Sequence, residues 1–127
     1  MKKEIPFDFV LEKLLSLSPQ VRPMFGCYAV YANERLVLIL RNHARFPNDN
    51  GVWIATSREF HASLKKELKT LRTINLLGGG NETNWQNLPV DDDHFEEEVD
   101  KACDLILKGD PRIGVIPKKK RKVSKAY

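Results

Sequence analysis

The chain has 127 residues, of which 42% are apolar and 30% are charged, which lies within the range of globular domains. This length predicts one domain, and the absence of an 18-residue apolar run argues against a membrane-spanning helix. The amino-terminal residues lack the apolar stretch of a secretory signal, so we expect a cytoplasmic protein. The net charge of +4 conceals an asymmetry: residues 1–110 carry 14 basic and 17 acidic residues, whereas residues 111–127 carry seven basic and no acidic residues.

The predicted elements begin with an amphipathic helix and a hairpin. Apolar residues recur at helical spacing over Pro6–Leu17, and Ser18-Pro19 ends this helix. Two runs of apolar, β-branched and aromatic residues follow, Arg22–Tyr31 and Leu36–Leu40, joined by a turn at Asn33-Glu34. Because the second run has no polar residue, it predicts a central strand that is covered on both faces, or one that has helices on one face and a partner on the other.

A third strand and a second helix come next. The strand is Val52–Ala55, after a turn-rich segment at residues 47–51. The helix is predicted to begin at Thr56, because Glu59 three residues later completes a capping box. Its apolar stripe consists of Phe60, Leu64, Leu68 and Leu71.

A second hairpin and a last helix complete the predicted domain. The hairpin strands are Ile74–Leu77 and Trp85–Leu88, with Gly78–Asn81 in the loop. The last helix follows Asp91–Asp93 and ends at Gly109, with a buried stripe formed by Phe95, Val99, Ala102 and Ile106. The order α-β-β-β-α-β-β-α predicts an α+β fold, a mostly antiparallel sheet with helices packed on one side. The domain spans residues 1–110, and residues 111–127 form a basic tail that we expect to be disordered.

One motif in the first hairpin resembles a known family. Its residues are Arg22, Met24, Phe25, Gly26, Tyr28, Val30 and Tyr31. Placed after a first helix, this pattern resembles the signature of the N-terminal domain of the competence regulator TfoX and its bacterial relatives, which usually have glycine where Cys27 and Ala29 stand. The resemblance implies a small sandwich related to secretion-chaperone-like folds and a role in transcription regulation, and it supplies no catalytic residue. In this motif Gly26 would let a strand kink, and Arg22 is a candidate contact for an anion or a partner.

The candidate catalytic and metal-binding groups form no recognised motif. Gly78–Asn81 lacks the Lys-Ser/Thr of a P-loop, so a hairpin loop is favoured. Cys27 and Cys103 lack Cys-x-x-Cys spacing and are predicted to be buried thiols. The three histidines lie in different predicted elements without ligand spacing: His43, His61 and His94. We therefore expect no cofactor and no metal, and an enzyme that pairs Cys27 with a histidine stays an alternative.

The tail contains five consecutive cations, Lys118, Lys119, Lys120, Arg121 and Lys122. Together with the flanking residues they resemble the nuclear import signal of a viral large T antigen. Three interpretations remain open: a solubilising tail, weak sequence-independent binding of nucleic acid through phosphate, and docking onto the acidic face of the last helix.

The sequence therefore predicts a non-catalytic regulatory or protein-interaction module whose partner is another protein or a second copy of the chain. The first alternative is a nucleic-acid-associated protein that acts through its tail, and the second is an enzyme that uses Cys27. Trp53 and Trp85 are expected in the core, because no basic residues interleave with them as in an RNA-binding sheet. No membrane contact is expected.

Overall fold

The computed structural model describes residues 5–74 and 84–116, and within these ranges the chain has an α+β fold. All strand pairs of the sheet are antiparallel, in the order β1-β2-β3-β4-β6-β5. The strands are β1 (Gln20–Met24), β2 (Cys27–Ala32), β3 (Arg35–Arg41), β4 (Gly51–Ile54), β5 (Arg72–Thr73) and β6 (Gln86–Pro89). The helices are α1 (Phe9–Lys13), α2 (His61–Glu67) and α3 (Phe95–Leu107), with short 3-10 segments at Leu15–Leu17, Pro47–Asp49 and Arg58–Phe60. The predicted fold class is confirmed, with one strand more than predicted.

The additional strand arises where a single strand was expected over Arg22–Tyr31. This run contains two strands, β1 and β2, joined by a two-residue turn at Phe25-Gly26 in which both residues have positive φ, 46° and 81°. Positive φ at both positions defines a type I′ turn, which matches the twist of the flanking strands. Gly26 therefore sits in a turn and not in a kinked strand, and β1 begins at Gln20, two residues before the predicted run.

The helices pack on one face of the sheet, as predicted. Leu38 and Leu40 of β3 point to this face and are fully buried against Val10 of α1, Leu64 of α2 and Val99 of α3. The apolar stripe predicted for the last helix is buried, and Gly109 ends that helix with φ 77°. The first helix is shorter than predicted, because the α-helical hydrogen bonds stop at Lys13 and a 3-10 turn continues to Leu17.

The second face of the sheet has its own apolar cluster, to which no helix of the described residues contributes. Its buried members are Cys27, Ala29, Leu36, Ile39, Trp53, Ala55 and Ile74. Trp53 is 3% exposed and its ring lies 6.4 Å from that of Trp85, so both tryptophans belong to the core as predicted. Ile39 on this face and Leu38 on the other are both fully buried, which confirms β3 as a central strand covered on two sides.

The start of the second helix differs from the prediction, and the second hairpin is described only in part. Thr56 is not a helix cap; its buried hydroxyl donates a hydrogen bond of 2.6 Å to the carbonyl oxygen of Arg112, and helical structure begins at Arg58. Of the strand predicted at Ile74–Leu77, only Ile74 lies within the described residues. The two residues before it, Arg72–Thr73, form β5 and pair with β6. Residues 75–83, which include the glycine-rich loop, lie outside the described residues.

Residues 111–116, which the sequence analysis placed in the tail, pack against the domain. Leu36 and Val115 exchange two backbone hydrogen bonds of 2.8 and 2.9 Å, and the Gly114 amide donates to the carbonyl oxygen of Ala55 at 2.7 Å. The guanidinium of Arg112 forms ion pairs with Glu67 and Asp110. We call residues 110–116 the C-terminal strap. It was missed because glycine separates Ile113 from Val115 and Ile116, and charged residues lie on both sides of this short run.

Glu98 is a buried acidic residue of α3. Its carboxylate is buried and accepts hydrogen bonds from the backbone N–H and the hydroxyl of Thr70, at 3.1 and 3.3 Å. This contact ties α3 to the turn between α2 and β5. No helix among the described residues has the length and apolar character needed to cross a membrane.

Cys103 makes the stability of the fold depend on pH in the alkaline range. Burial against the sheet, with Asp100 and Asp104 nearby, raises the pKa of this thiol from 9.0 to about 12. The folded chain therefore holds the thiol proton more tightly than the unfolded chain, and stability is lost as the pH rises above 9. We expect this group to lower the free energy of unfolding by about 1 kcal/mol between pH 9 and 10. Urea denaturation should show a smaller pH slope for Cys103→Ala; equal slopes would contradict the assignment.

Candidate interaction site at the Phe25 turn

The turn between β1 and β2 displays an aromatic side chain to solvent. Phe25 is 97% exposed and its backbone is held in the left-handed region by the hairpin on either side. A left-handed conformation costs an ordinary L-residue about 1–2 kcal/mol, which is why glycine, asparagine and aspartate dominate such turns. The folded chain therefore loses stability at Phe25, and the exposed ring makes few contacts that could offset this loss.

A second exposed phenylalanine lies at the same end of the sheet. The loop from Asn42 to Asn50 leaves β3 beside the Phe25 turn, because Tyr28 of β2 pairs with Leu40 of β3. In this loop Phe46 has φ 52° and is 48% exposed. Two aromatic residues at one end of the molecule therefore combine a left-handed backbone with exposure of the ring.

The loop is held in place by Arg41, the last residue of β3, which is only 4% exposed. Its Nη1 donates hydrogen bonds to the carbonyl oxygen of Phe46 at 2.9 Å and to Oδ1 of Asn50 at 2.7 Å, and its Nη2 donates to the carbonyl oxygen of Arg45. The Asn50 side chain also pairs with the backbone of His43, through N–H···Oδ1 at 2.8 Å and Nδ2–H···O at 2.9 Å. These bonds fix the loop against the end of the sheet.

His43 closes one side of a cleft beside the turn. A Cβ atom on Gly26 would lie 3.2 Å from the His43 ring, so the imidazole packs directly over the glycine. The cleft has a volume of about 540 Å³ and is lined by Ile5, Pro6, Pro23, Gly26, Cys27, Tyr28, Asn42 and His43. Its walls are apolar on the side of the two prolines and polar on the side of the loop.

Cys27 lines this cleft, but its environment does not activate it. Burial raises the pKa of the thiol, and the positive charge of Arg41 lowers it by a smaller amount. The Nδ1 atom of His43 accepts a hydrogen bond of 3.1 Å from the Arg45 amide, so a neutral His43 carries its proton on Nε2. An activated cysteine needs a depressed pKa and a base with a free lone pair, and the described groups supply neither at this position.

The other predicted site residues do not join this cleft. Arg22 lies on β1 with its guanidinium 5.2 Å above the ring of Tyr31, on the second face of the sheet and directed away from the turn. The tail cations Lys118–Lys122 and the loop Gly78–Asn81 lie outside the described residues. His61 and His94 lie on α2 and at the start of α3. Across residues 5–74 and 84–116, no three acidic, histidine or cysteine side chains are grouped as metal ligands.

Sequence reasoning missed Phe46, Arg41 and Asn50. The loop Pro47-Asn48-Asp49-Asn50-Gly51 was recognised as a turn, but the role of Asn50 depends on the return of the loop to His43. An arginine that ends an otherwise apolar strand was the one available signal for Arg41.

Comparison with known proteins gave no match for this chain among protein-family models, curated proteins or solved structures.

Proposed function

We propose that this chain is a non-catalytic, cytoplasmic protein-interaction module with a regulatory role, and that the Phe25 turn is its contact surface. The observation that carries the proposal is the left-handed, 97% exposed Phe25. A residue that costs stability and contacts little within its own chain is explained by a contact outside it. The resemblance to the TfoX N-terminal domain motif, which includes Phe25, is consistent with a regulatory role.

The edge strand β1 is a poorer candidate for the contact surface. In a two-residue hairpin, the pair next to the turn, here Met24 and Cys27, is hydrogen-bonded. Backbone groups alternate in direction along a strand, so those of Val21 and Pro23 face outward from β1. Pro23 has no N–H, which leaves Val21 as the one outward donor among the three middle residues of β1. Proline on an outer edge is a common device against strand addition. The centre of the second face is also buried, so it offers no apolar surface for docking.

The proposal is tested by replacing Phe25 with asparagine. Asparagine is favoured at the first position of a type I′ turn, so Phe25→Asn should raise the free energy of unfolding by up to about 1 kcal/mol. The same variant should lose at least tenfold in capture of a specific protein from extracts of cells that express the chain, measured by quantitative mass spectrometry. Stability and capture should therefore change in opposite directions.

Two further baits make this experiment decisive. Leu15→Asn removes another exposed apolar side chain, 70% exposed and remote from the turn, and should leave capture unchanged.

A chain that ends at Ile116 tests the alternative function, weak binding of nucleic acid by Lys118–Lys122. It should lose salt-sensitive binding of duplex DNA but retain Phe25-dependent capture. Equal capture by wild type and Phe25→Asn would overturn the interaction proposal.

A further inference from the structure

At the Phe25 end of the molecule, the buried guanidinium of Arg41 forms no ion pair with any residue that the structure describes. All the hydrogen-bond acceptors around the Arg41 guanidinium are neutral: two backbone carbonyl oxygens and the side-chain oxygen of Asn50. Burial of a charge is costly unless an opposite charge compensates it, and hydrogen bonds to neutral groups do so only in part. The positive potential of Arg41 therefore extends to its surroundings. The charge of Arg41 acts on the adjacent cleft, which Cys27 lines. Arg41 lowers the pKa of the Cys27 thiol, although burial raises this pKa by a larger amount.

The cleft and its surroundings share this positive character. The described residues that line the cleft include no aspartate or glutamate. Arg45 lies on the loop beside it with an exposed side chain that forms no ion pair with a described residue. The segment from Arg41 to Asn50 contains two basic residues, Arg41 and Arg45, and one acidic residue, Asp49, which is 1% exposed. A group that enters the cleft would thus meet positive charge on one side and prolines on the other.

We infer that the cleft and Phe25 bind an acidic segment of a partner protein. An apolar side chain of the segment packs on Phe25, and a neighbouring carboxylate enters the cleft toward Arg41 and Arg45. This inference rests on the proposed function, because it specifies the partner of the same surface. Charge complementarity selects an acidic segment, and the apolar walls favour a peptide over nucleic acid. Phosphate-backbone binding needs a row of exposed cations, whereas Arg41 is buried and Arg45 is the exposed cation next to the cleft.

The experiment uses peptides selected from a random display library against the full chain, with counter-selection against Phe25→Asn. We expect the recovered peptides to place aspartate or glutamate next to leucine or an aromatic residue. A labelled consensus peptide is then titrated by fluorescence anisotropy. Arg45→Glu should weaken binding at least tenfold, as should replacing the peptide carboxylates by amides, and raised salt should weaken it as well. Lys66→Glu, the same charge change on α2, is the matched control and should bind as wild type.

The outcomes separate this inference from the proposed function. Peptides that depend on Phe25 but lack acidic residues and tolerate Arg45→Glu would overturn the acidic partner and leave the interaction surface standing. Failure to recover any Phe25-dependent peptide would count against both. Unlabelled duplex DNA or an excess of the unlabelled chain, through its acidic α3, could also displace the peptide. Either result would mean that nucleic acid or a second copy of the chain binds this cleft, and it would overturn the inference.

Discussion

Gly51→Ala is expected to prevent folding or to lower the free energy of unfolding by more than about 4 kcal/mol. Gly51 begins β4 with φ 148°, and a Cβ atom there would lie 2.1 Å from the carbonyl oxygen of Leu88 and 3.0 Å from the amide nitrogen of Val90. These backbone atoms cannot move aside, because the Val90 amide donates to the carbonyl oxygen of Asn50 at 3.0 Å and β6 is paired along β4. The side chain can be accommodated only by separating the two strands.

Gly109→Ala is the matched control for this substitution. Gly109 also has a positive φ, 77°, but no atom lies within 4 Å of its Cβ position. Its replacement carries the conformational cost alone, about 1 kcal/mol. Chemical denaturation of the two variants thus separates steric overlap from backbone strain. If Gly51→Ala lowers the free energy of unfolding no more than Gly109→Ala does, the result would contradict the close packing of β4 on β6.

Arg41→Met is expected to lower the free energy of unfolding by about 2–3 kcal/mol and to release the loop between β3 and β4. Two effects oppose each other, since the variant loses three charge-assisted hydrogen bonds and also removes an uncompensated buried charge. The hydrogen bonds should dominate, because all three join the end of β3 to one loop. Hydrogen exchange should show faster exchange of the His43 amide, whose partner Asn50 is no longer held.

Arg41→Lys distinguishes charge from geometry in this experiment. Lysine keeps the positive charge, but one ammonium group cannot reach three acceptors as a planar guanidinium does. We expect it to lose most of the same stability. A more stable Arg41→Met would mean that the cost of burying the charge exceeds the value of its hydrogen bonds, and Arg41 would then not be the anchor of the loop.

The elements that the sequence predicted well are those with a long, regular apolar pattern. The unbroken run of β3 and the stripe of α3 each bury several side chains, so tertiary contacts and local pattern agree. The Phe25 turn was hidden because phenylalanine is rarely the first residue of a type I′ turn, and only Gly26 signalled it. The same rare residue, Phe25, therefore concealed the turn in the sequence and makes the turn a candidate contact surface in the structure.

The cleft could not be predicted at all, since it depends on contacts between segments that are distant along the chain. Its lining brings Ile5 and Pro6 of the amino-terminal segment beside Tyr28 of β2 and His43 of the loop. Glu98 is buried through Thr70, 28 residues away. Patterns within a window of ten residues carry no information about such pairs.

The C-terminal strap has a consequence for the order in which the protein can fold during synthesis. Arg35 donates a hydrogen bond of 3.0 Å to the carbonyl oxygen of Gly114, 79 residues later. While the chain emerges from the ribosome, β3 and β4 can pair early. The N–H and C=O groups of Leu36 and the carbonyl group of Ala55 form their hydrogen bonds to the strap only after the strap has been synthesised. A long loop must close before those contacts form, so they are expected after the local pairing of β3 with β4. Until then, the nascent domain presents an unfinished sheet end to chaperones and to other chains.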